Sequence, residues 1–363
     1  MATALAGCTS GQDAGGATSD SSPDADEVAV ERTIARSRGL LSALGTVDRS
    51  GSRWTKAVER VAAGHRAHLL LLNVTQESVT PSPTGTGAAQ DQTAAASGSA
   101  ASPSGPTASG PTAPEELVTA QRDAARQALE DLSGTSAPVA VKLARIAAAR
   151  AVQADLLAGA AGLAAPGDLV LPTGGAGATD GSASRDLAAT GAGTTPADGD
   201  APVDADRAVS SGASTAPAST GPTARSSLPQ TTLKALSTLL EGEHAAVFAY
   251  GTITARIPSS SRARAQELWN DHVHGREEII RRIRAGGGRP PAASAAYGLG
   301  TEDLSRGAGV RALAADVEDG LASVAIDAVG QAEPSDRVWV AQFLVRAARD
   351  SARWSGDPPS LPG

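Results

Sequence analysis

Very few aromatic side chains are available to build a core: they make up 2% of the 363 residues. Any core must come from Ala, Leu, Val and Ile, and Ala- and Leu-rich segments favour closely packed helices over sheets. Cysteine occurs once, at Cys8, which excludes an internal disulfide and a Cys-based zinc site. No run of 18 apolar residues occurs, so no segment reads as a membrane-spanning helix. Lysine is almost absent, with Lys56, Lys142 and Lys234 alone, and Arg carries the remaining positive charge. The net charge of −8 argues against a nucleic-acid partner. There is no nucleophile elbow, phosphate loop, dinucleotide fingerprint or His-Glu-x-x-His. Gly286-Gly287-Gly288 follows a helical pattern rather than a strand, so it is a turn and not a phosphate cradle.

What the sequence does have is an alternation of helical blocks with tracts of Ala, Ser, Thr, Gly and Pro. Residues 1–26 form a short start and a polar tether, and residues 27–165 a first helical bundle. Its helices span about 27–46, 53–73, 114–132 and 138–163, judged by apolar residues at helical spacing. Between the second and third lies an insert, residues 75–113, with too little apolar surface to order itself. Residues 166–229 are a second low-complexity tract, with an expected r.m.s. span of about 40 Å as a flexible coil. It couples the halves loosely unless they dock. Residues 230–356 form the second bundle, with helices at about 231–256, 262–285, 310–329 and 334–354, and residues 357–363 are a tail. In both halves the long connection falls between helices two and three. The fold class is therefore all-α: two ferritin-like four-helix bundles, each with one long crossover.

Helical periodicity turns a few ionisable groups inward in the second bundle. Leu236, Leu240, Glu243, Val247 and Tyr250 share one stripe, and Ala265, Leu268, His272, Ile279 and Ile283 another. Antiparallel helices turning near residue 258 bring Glu243 and His272 to one level. A turn near residue 332 likewise sets Glu318 level with Arg346. Inward charges are costly unless paired. The expected network is Glu243 with His272 and Glu318 with Arg346, completed by Arg276 or Glu277. A competing arrangement is one divalent metal held by Glu243 and His272 with Glu277 or Glu318; an organic ligand in the bundle is a third. No cofactor is assured. A di-iron centre needs Glu on two helices and Glu-x-x-His on two others. Here Glu241 leaves the inward stripe, and the fourth helix offers Arg346 and Arg349 in place of ligands. In the first bundle, His65 occupies the place of His272, with His68 beside it. Ser37 stands in the place of Glu243, and Gln153 and Asp155 are the fourth helix's polar offer. A hydrogen-bonded core histidine is the expectation there.

Two resemblances add to this. Leu5-Ala6-Gly7-Cys8 resembles the lipobox of bacterial lipoproteins, which implies lipid on Cys8, a membrane anchor and an extracytoplasmic address. Only seven residues precede Cys8, so the true start, with most of the signal peptide, is expected upstream. Further on stand Glu243-His244-Ala245-Ala246 and Tyr250-Gly251, then His272, Arg276 and Glu277. Gly288-Arg289-Pro290-Pro291, Tyr297, Val317-Glu318-Asp319-Gly320 and Ala352-Arg353-Trp354 follow in order, and the chain closes on Leu361-Pro362-Gly363. This series resembles a ferritin-like domain of unknown function found in actinobacterial lipoproteins. Phe248 departs from its usual Tyr, and Val273-His274-Gly275 from its more basic run. The resemblance implies a fold and an envelope location but no activity. Together these readings expect a non-catalytic binding or scaffolding lipoprotein, with a metal-handling or redox protein as the alternative.

Overall fold

A computed structural model describes residues 24–73, 112–169, 227–300, 303–356 and 361. Among them the secondary structure is entirely helical. The elements are α1 (Ala25–Thr46), α2 (Ser52–Leu71), α3 (Pro114–Glu130) with a 3-10 turn at Asp131–Gly134, and α4 (Ala137–Ala161). The second half holds α5 (Gln230–Arg256), α6 (Ser259–Ala285), α7 (Gly307–Gln331) and α8 (Pro334–Ser355). Helix ends follow local chemistry. The Asp24 carboxylate accepts from the Asp26 amide at the start of α1. Pro114 opens α3, where a missing N–H costs nothing. Helix α6 begins at Ser259, three residues before the Arg262 expected from the sequence. Pro258 has φ −52°, already suited to helix entry, so one proline both stops α5 and launches α6.

The long-crossover topology can be traced by contacts at the bundle ends. The end of α6 lies beside the start of α5, where the Leu228 amide donates to the Gly286 carbonyl at 3.0 Å. The next helix starts at the opposite end of the bundle. There Gly307 sits so close to Pro258 that a Cβ on it would lie 2.7 Å from the ring. Helix α7 therefore runs parallel to α6 and antiparallel to α5. Its own far end returns to the start of α5, where the Glu333 amide donates to Thr232 Oγ1 at 3.1 Å. The first half repeats the plan. Thr46 and Thr112 hydroxyls meet at 3.2 Å, placing the start of α3 at the end of α1. The Ser136 amide donates to Asp26 at 2.7 Å, placing the start of α4 at the start of α1.

The two bundles dock. One buried apolar cluster runs from Ala128, Leu129, Leu143 and Ala147 in the first half to Leu236, Leu240, Val329 and Leu344 in the second. Helix α4 is the shared element and packs on α7 and α8 as well as on its own bundle. It is buried nearly all round, as an Ala-rich helix that is apolar on every face must be. Ala140, Ala144, Ala147 and Ala148 bring backbones close where larger residues would hold them apart. Polar contacts fasten the joint at both ends. Arg349 of α8, 5% exposed, reaches both oxygens of Asp155 at 2.9 Å and the Pro166 carbonyl at 2.6 Å. Arg337 donates to the Leu132 and Thr135 carbonyls. Overpacking so tight a seam costs about 1–3 kcal/mol. Ala148→Leu is accordingly expected to lower the thermal midpoint of the full chain by several degrees, measured by scanning calorimetry.

Candidate functional site

Three helices of the second bundle deliver ionisable groups to one buried point. His272 of α6 lies between two carboxylates: Nδ1 is 2.9 Å from Glu243 Oε2 on α5, and Nε2 is 3.1 Å from Glu318 Oε1 on α7. All three are at most 4% exposed. Tyr250, two turns beyond Glu243 on α5, donates its hydroxyl to Glu318 Oε1 at 2.6 Å and accepts from Trp354 Nε1 of α8 at 2.9 Å. Its ring lies 4.9 Å from the imidazole. Gly275, one turn past His272, makes room for this. A Cβ there would stand 3.1 Å from Glu243 Oε1 and 3.2 Å from the Phe343 ring. A cavity of about 10 Å³ adjoins the cluster, lined by Leu239, Leu321 and Arg346 together with the three ionisable groups. That is space for one water at most. Beside it, Glu318 Oε2 is buried without a hydrogen-bond partner.

The electrostatics follow from this geometry. Burial alone would push the His272 pKa down, but the carboxylates of Glu318 and Glu243 outweigh it and raise the pKa to about 10. The ring is an imidazolium at neutral pH, donating from both nitrogens. Burial and the Glu318 charge push the Tyr250 hydroxyl well above its ordinary value, so it stays a donor. With both ring nitrogens turned to carboxylates, His272 offers no lone pair to a cation in this arrangement. Among the described residues no group of three or more His, Cys, Asp or Glu side chains is placed to hold a metal.

The structure brings together Glu243, His272 and Glu318 and leaves the other sequence candidates outside. Glu277 is exposed and pairs with its own neighbour Arg276 at 2.7 Å, apart from the buried cluster. Glu277, five residues on, points about 140° away from His272, while Arg276, one turn on, lies at the edge of the inward face and turns its guanidinium to Glu277. Arg346 is half-buried and lies over the Phe343 ring at 4.7 Å. It lines the small cavity but forms no ion pair with Glu318, whose Oε1 is taken by Tyr250 and His272. Cys8 lies outside the described residues. Sequence reasoning placed Tyr250 on the Glu243 stripe yet missed its role. A buried Tyr needs a partner for its hydroxyl, and that rule would have found it.

These residues all fall in the part of the chain that has recognisable relatives. Residues 235–363 match a domain of unknown function (DUF4439). A crystal structure of a conserved hypothetical protein from Mycobacterium tuberculosis is 29% identical over 36% of this chain and 98% of that one, with a TM-score of 0.34. No curated protein matches the chain.

The first bundle holds a counterpart to this cluster with its electrostatics reversed. His65 of α2 meets Gln121 of α3, Nε2 to Nε2 at 2.7 Å, as His272 meets Glu318. Ser37 of α1 takes the place of Glu243 and accepts from Arg150 of α4 at 2.8 Å. Arg150, fully buried, also donates to the Ala124 and Thr33 carbonyls at 3.0 and 3.2 Å. His68 stacks edge-on to His65 at 5.2 Å. With the carboxylates replaced by an amide and a hydroxyl, burial and then Arg150 lower the His65 pKa to about 3. Burial, His65 and Arg150 push His68 well below its usual value. Gln153 instead packs on Gly64, and Asp155 serves the joint between bundles.

The two histidines thus give stability opposite pH dependences. His272, raised from 6.5 to about 10, contributes stability that is complete below pH 6.5 and is lost as pH climbs through 10. His65, lowered from 6.5 to about 3, contributes stability that is complete above pH 6.5 and is lost as pH falls toward 3. Each limb slopes by at most about 1.4 kcal/mol per pH unit. Urea melts across pH 4–10 are expected to show a maximum near pH 6.5, with His272→Asn flattening the alkaline limb only.

Proposed function

We propose that this chain is a lipid-anchored binding or scaffolding module of the bacterial envelope, with a ferritin-like C-terminal bundle whose Glu243–His272–Glu318 cluster is a structural pin. One observation carries the non-catalytic part: both nitrogens of His272 are engaged, inside a space of about 10 Å³ that admits no substrate. Ferritin-like architecture is supported by two antiparallel helix pairs joined by one crossover running the length of the bundle. The anchor rests on the Leu5-Ala6-Gly7-Cys8 series. No helix among the described residues is long and apolar enough to cross a membrane; the attachment proposed is lipid on Cys8. Charge argues against nucleic acid as a partner.

A single-metal reading has one observation in its favour. Glu318 Oε2 is buried, unpartnered and next to the small cavity. A divalent cation there would have to displace one carboxylate from His272, and its ligands would be Glu243, His272 and Glu318, without Glu277. The readings separate by metal analysis of the soluble chain purified without a metal-affinity tag. The pin predicts metal-free protein whose thermal midpoint ignores added iron, manganese, zinc or copper. Stoichiometric metal that disappears in Glu243→Ala would sink it. For the anchor, Cys8→Ser, made in the gene with its upstream codons, is expected to move the protein from the membrane fraction to the soluble fraction. Unchanged membrane retention would remove the lipoprotein proposal.

A further inference from the structure

Away from the histidine cluster, a cleft of about 640 Å³ lies between the two bundles. Helix α4 forms its floor, while α2 and the end of α8 form its walls. Its volume lies in the range of small-molecule sites. The floor is apolar: Val152, Leu156 and Ala160, with Ala57 and Ala352 from the walls. The rim is basic. Arg53, Lys56 and Arg60 follow one another along one face of α2, all exposed, and Arg349 and Arg353 stand on the α8 side. Only Glu59 and Asp155 oppose these five cations within the cleft. Such a basic concentration stands out on a chain of net charge −8.

The two walls differ in how their charges are engaged. Arg349 and Arg353 are committed to Asp155, and Arg353 also to Asp350 at 3.0 Å. Asp155 is thereby neutralised by the wall it faces. Arg53 and Lys56 form no ion pair or side-chain hydrogen bond among the described residues. The cleft therefore presents two uncommitted cations one helical turn apart, above a strip of aliphatic surface. That combination fits a ligand with an anionic head and a hydrocarbon body. The cations take the head through charge-assisted hydrogen bonds, and the strip covers the body. A purely polar anion leaves the floor uncovered, and a neutral alkane leaves the cations unused.

We propose that the cleft between α2, α4 and α8 binds a single-chain amphiphile with an anionic head, seated with the head at Arg53 and Lys56 and the chain along α4. This adds a ligand class and a site to the binding-module reading, and it stands whether or not Cys8 carries lipid. The test is calorimetric titration of the full chain with decyl phosphate below its micelle concentration. Saturable one-to-one binding is expected, with decanol and inorganic phosphate each weaker by at least about tenfold. Two variants probe the two halves of the site. Arg53→Glu with Lys56→Glu reverses the head contacts. Gly159→Phe fills the open floor, where no heavy atom lies within 4 Å of a Cβ. Each should weaken binding by at least about tenfold, while Arg281→Glu, on the exposed face of α6, should leave it unchanged. If the double charge reversal does not fold, Arg53→Gln with Lys56→Gln replaces it with the same expectation. No saturable binding by the wild-type chain overturns the proposal, as does binding that the Gly159→Phe variant retains. Binding to anionic phosphatidylglycerol vesicles without binding to monomeric decyl phosphate also overturns it, and would make the basic rim a membrane-facing surface.

Discussion

An imidazolium held between two carboxylates sets the level of three helices in the second bundle. His272 cannot slide along α6 without losing Glu243 on α5 or Glu318 on α7. Tyr250 and Trp354 extend the same chain of hydrogen bonds to α8. Removing one partner from such a buried set typically costs 3–5 kcal/mol, because the remaining charges keep their desolvation penalty. Replacing the whole set by apolar residues can be nearly neutral, so its value to the fold is one register chosen over others rather than raw stability.

The same position in the first bundle solves the problem with opposite charge. One carboxylate becomes Ser37 and the other Gln121, and a buried cation, Arg150, arrives from α4. The histidine there is neutral, where its counterpart is charged. Burial lowers the Arg150 pKa to about 9, yet three oxygen acceptors hold its guanidinium in place. The first bundle therefore has the level-setting histidine without the acidic pair. A cation site is correspondingly less suited to it than to the second, since Arg150 would repel the ion. Helix α4 has a further duty. It closes its own bundle on one side and packs α7 and α8 on the other, which explains why its sequence is almost without a polar face.

Much of this was legible before any coordinates. Proline and glycine punctuation placed the eight helices within a few residues. Period counting put Glu243 and His272 on facing stripes at one level. The misses have physical causes. Arg346 was matched to Glu318 by level alone, but a level says nothing of which group reaches first, and the long Tyr250 side chain arrives from α5. Glu277 follows His272 closely in sequence, yet the helix turns it outward, and it draws the Arg276 guanidinium with it. The docking of the bundles is harder to read, because a stripe count on α4 describes only one of its faces. The signal was the rest of that helix, where Ala147, Ala151 and Ala154 leave no side for water. Charge complementarity across distant segments, such as Asp155 with Arg349, has no periodic signature at all.

The central claim is that His272 is a charged pin with both nitrogens committed. Nitrogen-15 NMR of selectively labelled histidine reads this directly. The account predicts two protonated ring nitrogens for His272 at pH 8, with the resonance pair unchanged by added divalent metal. A neutral single tautomer at that pH, or loss of one N–H on adding metal, would contradict it.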